Sequence, residues 1–86
     1  MKLILCIDCQ DVVRLQHDTR YCKCGKASGR YVDDVNAEVN EHAIPLGFAN
    51  DDFVRAVQMR PLRGVGSRFQ AFVIPQECES VEVIKS

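Results

Sequence analysis

The sequence predicts a small α+β domain: an N-terminal β-hairpin stapled by cysteines, one short helix, and antiparallel strands towards the C-terminal end. Three observations predict it. Four of the cysteines fall into two close pairs, CIDC and CKC, separated by twelve residues. Short apolar-alternating runs, the mark of half-buried strands, recur along the chain. One stretch, NDDFVRAVQM, has acids in its first turn and is closed by Pro61, as a helix would be. At 86 residues the chain makes one domain, residues 1–86, with a core thin enough that a staple is expected. Residues 1–33 form its stapled part, and residues 34–86 a strand-helix-strand-strand extension.

Apolar residues make up 47% of the chain and charged residues 27%, which fits a folded domain and excludes a disordered one. The opening MKLILCID is too short an apolar run for a signal peptide or a membrane span, so the expected location is cytoplasmic, with no membrane partner. Without a secretory leader, cysteine pairs at chelating spacing favour metal thiolates over disulfides.

Cys6 and Cys9 follow the strand-like LIL in C-x2-C spacing, where a tight turn lets two thiolates approach one ion from the same side. Cys22 and Cys24 are spaced C-x-C, and side chains at i and i+2 of an extended segment share a face. Gly25 follows them, free to take a left-handed turn that brings backbone amides near the sulfurs. The intervening residues read as a hairpin, with Val12, Val13 and Leu15 outgoing, a polar turn over residues 16–19, and Tyr21 returning. Four thiolates around one ion make the closed arrangement of structural Zn2+, and the same S₄ set also suits Fe. His17, in the expected turn, and His42, beside a strand, read as solvated side chains.

The Cys6/Cys9 and Cys22/Cys24-Gly25 arrangement resembles a zinc ribbon, or a rubredoxin-like knuckle pair, over about the first third of the chain. The longer register, CIDCQDVVRL, RYCKCGKASGRYVDD and AIPLGFANDDFVRAV, is similar to small bacterial and phage proteins without an assigned function. The resemblance implies zinc binding. Two departures are visible: the second knuckle is C-x-C, and Gln10 stands where the first would usually carry glycine.

Beyond the knuckles, Tyr31 and Val32 mark a strand that would complete a three-stranded ribbon. Ala37 and Val39 alternate in a further strand, and Ile44, Leu46 and Phe48 line one face of another stretch, which Pro45 makes an edge strand or an irregular extended segment. Asn50 is the expected N-cap, with Asp51 and Asp52 in the first turn and Phe53, Val54 and Val57 on one helix face. Residues 61–68 are a loop. FQAFVIP carries apolar residues on both faces, so it reads as a strand buried on both sides or docked on a partner. VEVIK is the last strand, expected antiparallel to it.

Nothing in the chain assembles a catalytic constellation, and a closed four-thiolate site has no water to activate, so no enzymatic activity is expected. RGVGSR lacks the Lys-Ser/Thr and the following helix of a phosphate loop. Cys78 lies between Glu77 and Glu79, which would raise its pKa. Net charge is -1, but Asp33, Asp34, Glu38, Glu41, Asp51 and Asp52 precede a basic stretch, Arg55, Arg60, Arg63 and Arg68, that contains no acid. The expected function is a zinc-stapled protein-interaction module. Its partner surface is Ile44, Leu46, Phe48, Phe72 and Ile74, joined by Phe53, Val57 and Phe69, and its partner is another protein or a second copy. The alternatives are a nucleic-acid-binding ribbon, using the four arginines with Phe69 and Phe72 for stacking, and a rubredoxin-like iron electron carrier.

Overall fold

A computed structural model of the chain describes residues 1–84, which form eight strands and one helix in a small α+β fold. The chain begins with β1 (Lys2–Cys6), and the first cysteine turn folds it back into β2 (Val12–Arg14), with Leu3 opposite Arg14 and Leu5 opposite Val12. Next come β3 (Arg20–Tyr21) and β4 (Ser28–Tyr31), which pair across the second cysteine turn. The strands β5 (Ala37–Asn40) and β6 (Ala43–Phe48) precede the helix α1 (Asn50–Gln58), and β7 (Ala71–Val73) and β8 (Val81–Ile84) follow it. Two four-stranded sheets result, ordered β2-β1-β6-β7 and β3-β4-β5-β8.

The sheets share one core. Ile4, Cys6, Val13, Leu15, Ala43 and Ile74 come from the first sheet or its flanks, and Cys22, Ala27, Ala37, Val39 and Val81 from the second. Ile4, Leu15 and Val39 are wholly buried, each contributing about 1.5–3 kcal/mol relative to an exposed position. Contact is close at Gly29 in β4, where an added Cβ would lie 2.9 Å from a Val39 methyl and 3.1 Å from the Leu15 side chain. Two cysteines of the pairs, Cys6 and Cys22, are part of this core, so the cysteine cluster and the packing of the sheets are one structure.

Four expectations about the strands need correction. The hairpin expected between the cysteine pairs does not form: β2 pairs with β1, β3 pairs with β4, and the two fall in different sheets. Each cysteine turn is itself the turn of a hairpin. β8 does not pair with β7; it lies parallel to β5, Ala37 opposite Val81 and Val39 opposite Val83, while Lys85 of the expected strand lies outside the described residues. β6, expected to be an edge strand or an irregular segment because of Pro45, is flanked by β1 and β7. The Pro45 carbonyl accepts the Ile74 N–H at 2.9 Å, and a residue's nitrogen and carbonyl leave a strand on the same side. The missing N–H therefore faces the end of β7, and the β1–β6 ladder loses nothing. Finally, β7 is buried on neither side: Ala71, Phe72 and Val73 are all exposed.

The helix starts where the acids place it and ends at Met59, ahead of Pro61. The N-cap is Ala49, whose methyl side chain cannot cap, and not the expected Asn50, which is the first helical residue and whose side-chain oxygen accepts the N-terminal ammonium of Met1 at 2.6 Å. No helix residue enters the main core. Phe53 joins Phe48 and Phe69 in a separate aromatic trio with centroids 4.8 to 5.4 Å apart, and the Asp52 carboxylate accepts the Gln70 N–H, closing the excursion at its base. Residues 54–68 beyond that base are exposed apart from the half-buried Ala56, with Leu62 at 92% and Val65 at 87%. No helix among the described residues is long and apolar enough to cross a membrane.

Candidate metal centre

The first cysteine turn is held by its own backbone. Cys6 donates its N–H to the Asp11 carbonyl, and the Gln10 N–H returns to the Cys6 carbonyl, each at 2.9 Å. The Cys9 N–H points at the Cys6 Sγ, 3.5 Å away. Gln10 sits at φ 61°, the left-handed conformation that glycine takes without cost. The second turn follows the same logic in a shorter loop. Gly25, at φ 82°, donates its N–H to the Cys22 carbonyl at 3.0 Å, and the buried Ala27 N–H points at the Cys22 Sγ, 3.3 Å away.

These turns bring together the four cysteines that the spacing singled out. The Sγ atoms of Cys6, Cys9, Cys22 and Cys24 all lie within 4.8 Å of one another. Cys6 to Cys24 is 3.7 Å and Cys22 to Cys24 is 3.4 Å. A tetrahedron of thiolates about 2.3 Å from zinc has sulfur–sulfur edges of about 3.8 Å, so the donor set fits a metal ion of that class. Burial is graded across the cluster: Cys6 and Cys22 are buried, Cys9 is half-buried and Cys24 is exposed.

The protons of the cluster are unevenly held. At Cys22, burial works to raise the pKa, but the Ala27 N–H and the thiols of Cys24, Cys6 and Cys9 outweigh it and bring it down to about 6. The Asp11 amide leads the groups that lower Cys9, followed by the Cys24 amide. Cys24 goes the other way: the Lys26 amide opposes the rise, yet Cys22, desolvation, Cys9 and Cys6 together push it up to about 12. A divalent ion held by the four sulfurs would stabilise their thiolate forms by direct charge compensation.

Neither histidine faces the cluster. His42 lies 3.5 Å from the Asp8 carboxylate, and the exposed His17 lies beside Tyr31 with ring centroids 6.1 Å apart. Cys78 is apart from the four, its Sγ 3.3 Å from the Ser80 hydroxyl. That side chain and the Ser80 amide lower its pKa, the reverse of the effect expected from Glu77 and Glu79.

Arg55, Arg60, Arg63 and Arg68 are all exposed on the helix and the loop after it, and Arg55 and Arg68 line one pocket together with Asp52, Met59 and Ser67. The expected partner surface is divided. Ile74 belongs to the core and drops out of it, Ile44, Leu46 and Phe48 are half-buried, and Phe72 is 54% exposed. Asp11 is the site residue that sequence reasoning missed, because its carboxylate reaches the Lys23 N–H across the two turns and only the fold brings those together. Comparison with protein-family models, curated proteins and solved structures finds no match for this chain.

Proposed function

We propose that the chain is a non-enzymatic zinc-binding protein whose metal is structural and whose exposed apolar surface binds other protein. The observation that carries the metal assignment is the approach of four thiol sulfurs to within 4.8 Å of one another, with two of the cysteines in the core. Cys6, Cys9, Cys22 and Cys24 would hold the ion, which supplies charge compensation and a covalent tie between the two sheets. Four protein thiolates complete a tetrahedral set, which supports a structural role over a catalytic one. The interaction reading is supported by Val54, Val57, Met59, Leu62, Val65, Phe72 and Val73, large apolar side chains that are more than half exposed.

Elemental analysis of protein produced without added metal tests the first part, and one zinc per chain is the expected result. A red, iron-bearing preparation would favour an electron carrier, and a metal-free folded chain would overturn both. Recovery of a protein partner, or of a second copy, tests the second part. A nucleic-acid reading stands second, supported by the exposure of all four arginines in the acid-free stretch.

A further inference from the structure

The outer edge of β7 has no part in the metal centre. Along its inner edge, Phe72 lies opposite Gly47, the Gln70 carbonyl accepts the Ala49 N–H at 3.0 Å, and the Ile74 N–H reaches the Pro45 carbonyl at 2.9 Å. Backbone groups alternate sides along a strand, so the N–H and C=O of Ala71 and of Val73 face outward. Among the described residues no strand lies beyond β7 in its sheet, and the side chains of both residues are exposed. The edge is short, three residues, but neither charge nor proline guards it. No charged residue occurs from Phe69 to Gln76, and the first proline, Pro75, comes after the strand has ended.

We propose that β7 pairs antiparallel with β7 of a second copy about a two-fold axis at Phe72, joining the two copies' sheets into one. This deepens the protein-binding reading by naming the partner, and it rests on that reading only in taking the exposed apolar surface for an interface. The register follows from the backbone. Ala71 of one copy and Val73 of the other exchange both N–H···O=C bonds, and the two-fold repeats the exchange, so all four outward groups are satisfied. Phe72 then faces Phe72 of the second copy as a non-hydrogen-bonded pair, with Cα atoms about 4.5 Å apart and side chains in contact. In the single chain the Phe72 ring lies over Gly47, and the residue is 54% exposed.

Charge agrees with this register. At the Ala71 end, β7 adjoins the segment carrying Arg55, Arg60, Arg63 and Arg68; at the Val73 end the chain runs on to Glu77. There, Ile7, Ile44, Pro45, Val73 and Pro75 line an apolar groove of about 400 Å³ that also includes Glu41. Antiparallel pairing lays the basic end of each copy beside the acidic, grooved end of the other. The interface is therefore self-complementary in backbone, apolar surface and charge, as an isologous contact requires.

Sedimentation velocity of the full chain across the micromolar range, with metal content measured on the same samples, tests the pairing. The expected species is a dimer. Val73→Pro removes an N–H that makes no bond to β6, and Val73→Lys puts a charge on the edge; both are expected to sediment as monomers with unchanged metal content. Amide hydrogen exchange supplies the second readout: the Ala71 and Val73 amides slow as concentration rises, whereas the Phe72 amide exchanges at a rate independent of it. A monomer throughout, a dimer that survives both substitutions, or unprotected Ala71 and Val73 amides in the dimer overturns the proposal. A monomer that still captures another protein overturns the pairing alone and leaves the module reading standing.

Discussion

The Asp11 carboxylate accepts the Lys23 backbone N–H at 2.8 Å and so ties the first cysteine turn to the second. Its backbone is engaged as well, since the Asp11 carbonyl takes the Cys6 N–H and its amide helps lower Cys9. The side chain alone is tested by Asp11→Ala, which leaves those backbone contacts in place. Loss of one exposed, charge-assisted hydrogen bond is expected to lower stability by about 1 kcal/mol. Metal transfer to a competing chelator is expected to quicken about tenfold, within the range typical of contacts that support metal ligands. Equal transfer rates in the two proteins would show that the clamp does not serve the metal.

Gln10 occupies a left-handed position, φ 61°, between Cys9 and Asp11. A side chain there costs about 1–2 kcal/mol, while glycine would add roughly 0.5–1 kcal/mol of chain entropy to be lost on folding. Gln10→Gly is therefore expected to stabilise the metal-loaded protein by up to about 1 kcal/mol, and Gln10→Val to destabilise it by more than that. Thermal unfolding of the three proteins at equal metal content orders them.

The cluster was legible in the sequence because chelation by each pair is local: two or three residues of turn decide where the thiols point. The strand partners were not. Val12–Arg14 carries the same alternation whether it pairs with β1 or β3, and what decides is that the Cys6–Asp11 turn already closes a hairpin through the Cys6 N–H and the Gln10 N–H. The parallel pairing of Val81–Ile84 with Ala37–Asn40 joins segments more than forty residues apart, and no local signal announces it. Pro45 misled for a similar reason, since its cost depends on which neighbour its nitrogen faces.

Gly29 also acquires its meaning only from the fold. An added Cβ would press on Val39, Leu15 and the Glu38 carbonyl at 2.9 to 3.1 Å, where the two sheets meet. Gly29→Ala is expected to cost about 1–3 kcal/mol through overpacking, read as a lower midpoint in chemical denaturation. Gly66, where an added Cβ meets nothing within 4 Å, is the control, and Gly66→Ala should leave the midpoint nearly unchanged.

Cys22 and Cys78 separate a metal role from a packing role. Cys22 is buried with its Sγ inside the cluster, whereas Cys78 is half-buried beside Ser80. Structural zinc contributes folding free energy directly, so Cys22→Ser is expected to lose the ion and most of the cooperative transition followed by circular dichroism. Cys78→Ser should retain the metal and shift stability by about 1 kcal/mol or less, within the ordinary range for a conservative change. Chelation of the unaltered protein should reproduce the Cys22→Ser behaviour. Equal losses for the two variants would place Cys78 in the metal's support.

The nucleic-acid reading makes a quantitative claim about the exposed arm formed by residues 54–68. Arg55, Arg60, Arg63 and Arg68 are exposed, and the ion pairs among the described residues, Arg30 with Glu38 and His42 with Asp8, involve none of them. Four free guanidinium groups can each displace a counterion from a phosphate, so binding to single-stranded DNA or RNA should fall steeply with salt. Arg60→Ala and Arg63→Ala should each flatten the logarithmic slope by about one unit, because each removes one phosphate contact. Stacking is more restricted than the sequence suggested. Phe69 is held edge-on to Phe48 in the aromatic trio with centroids 4.9 Å apart, which leaves Phe72 as the aromatic ring of the pair open to a base. Phe72→Leu should thus weaken binding without changing the salt slope. Absence of binding at low salt, or a slope that the arginine substitutions leave unchanged, would remove nucleic acid as a partner and return the arm to the protein-binding reading.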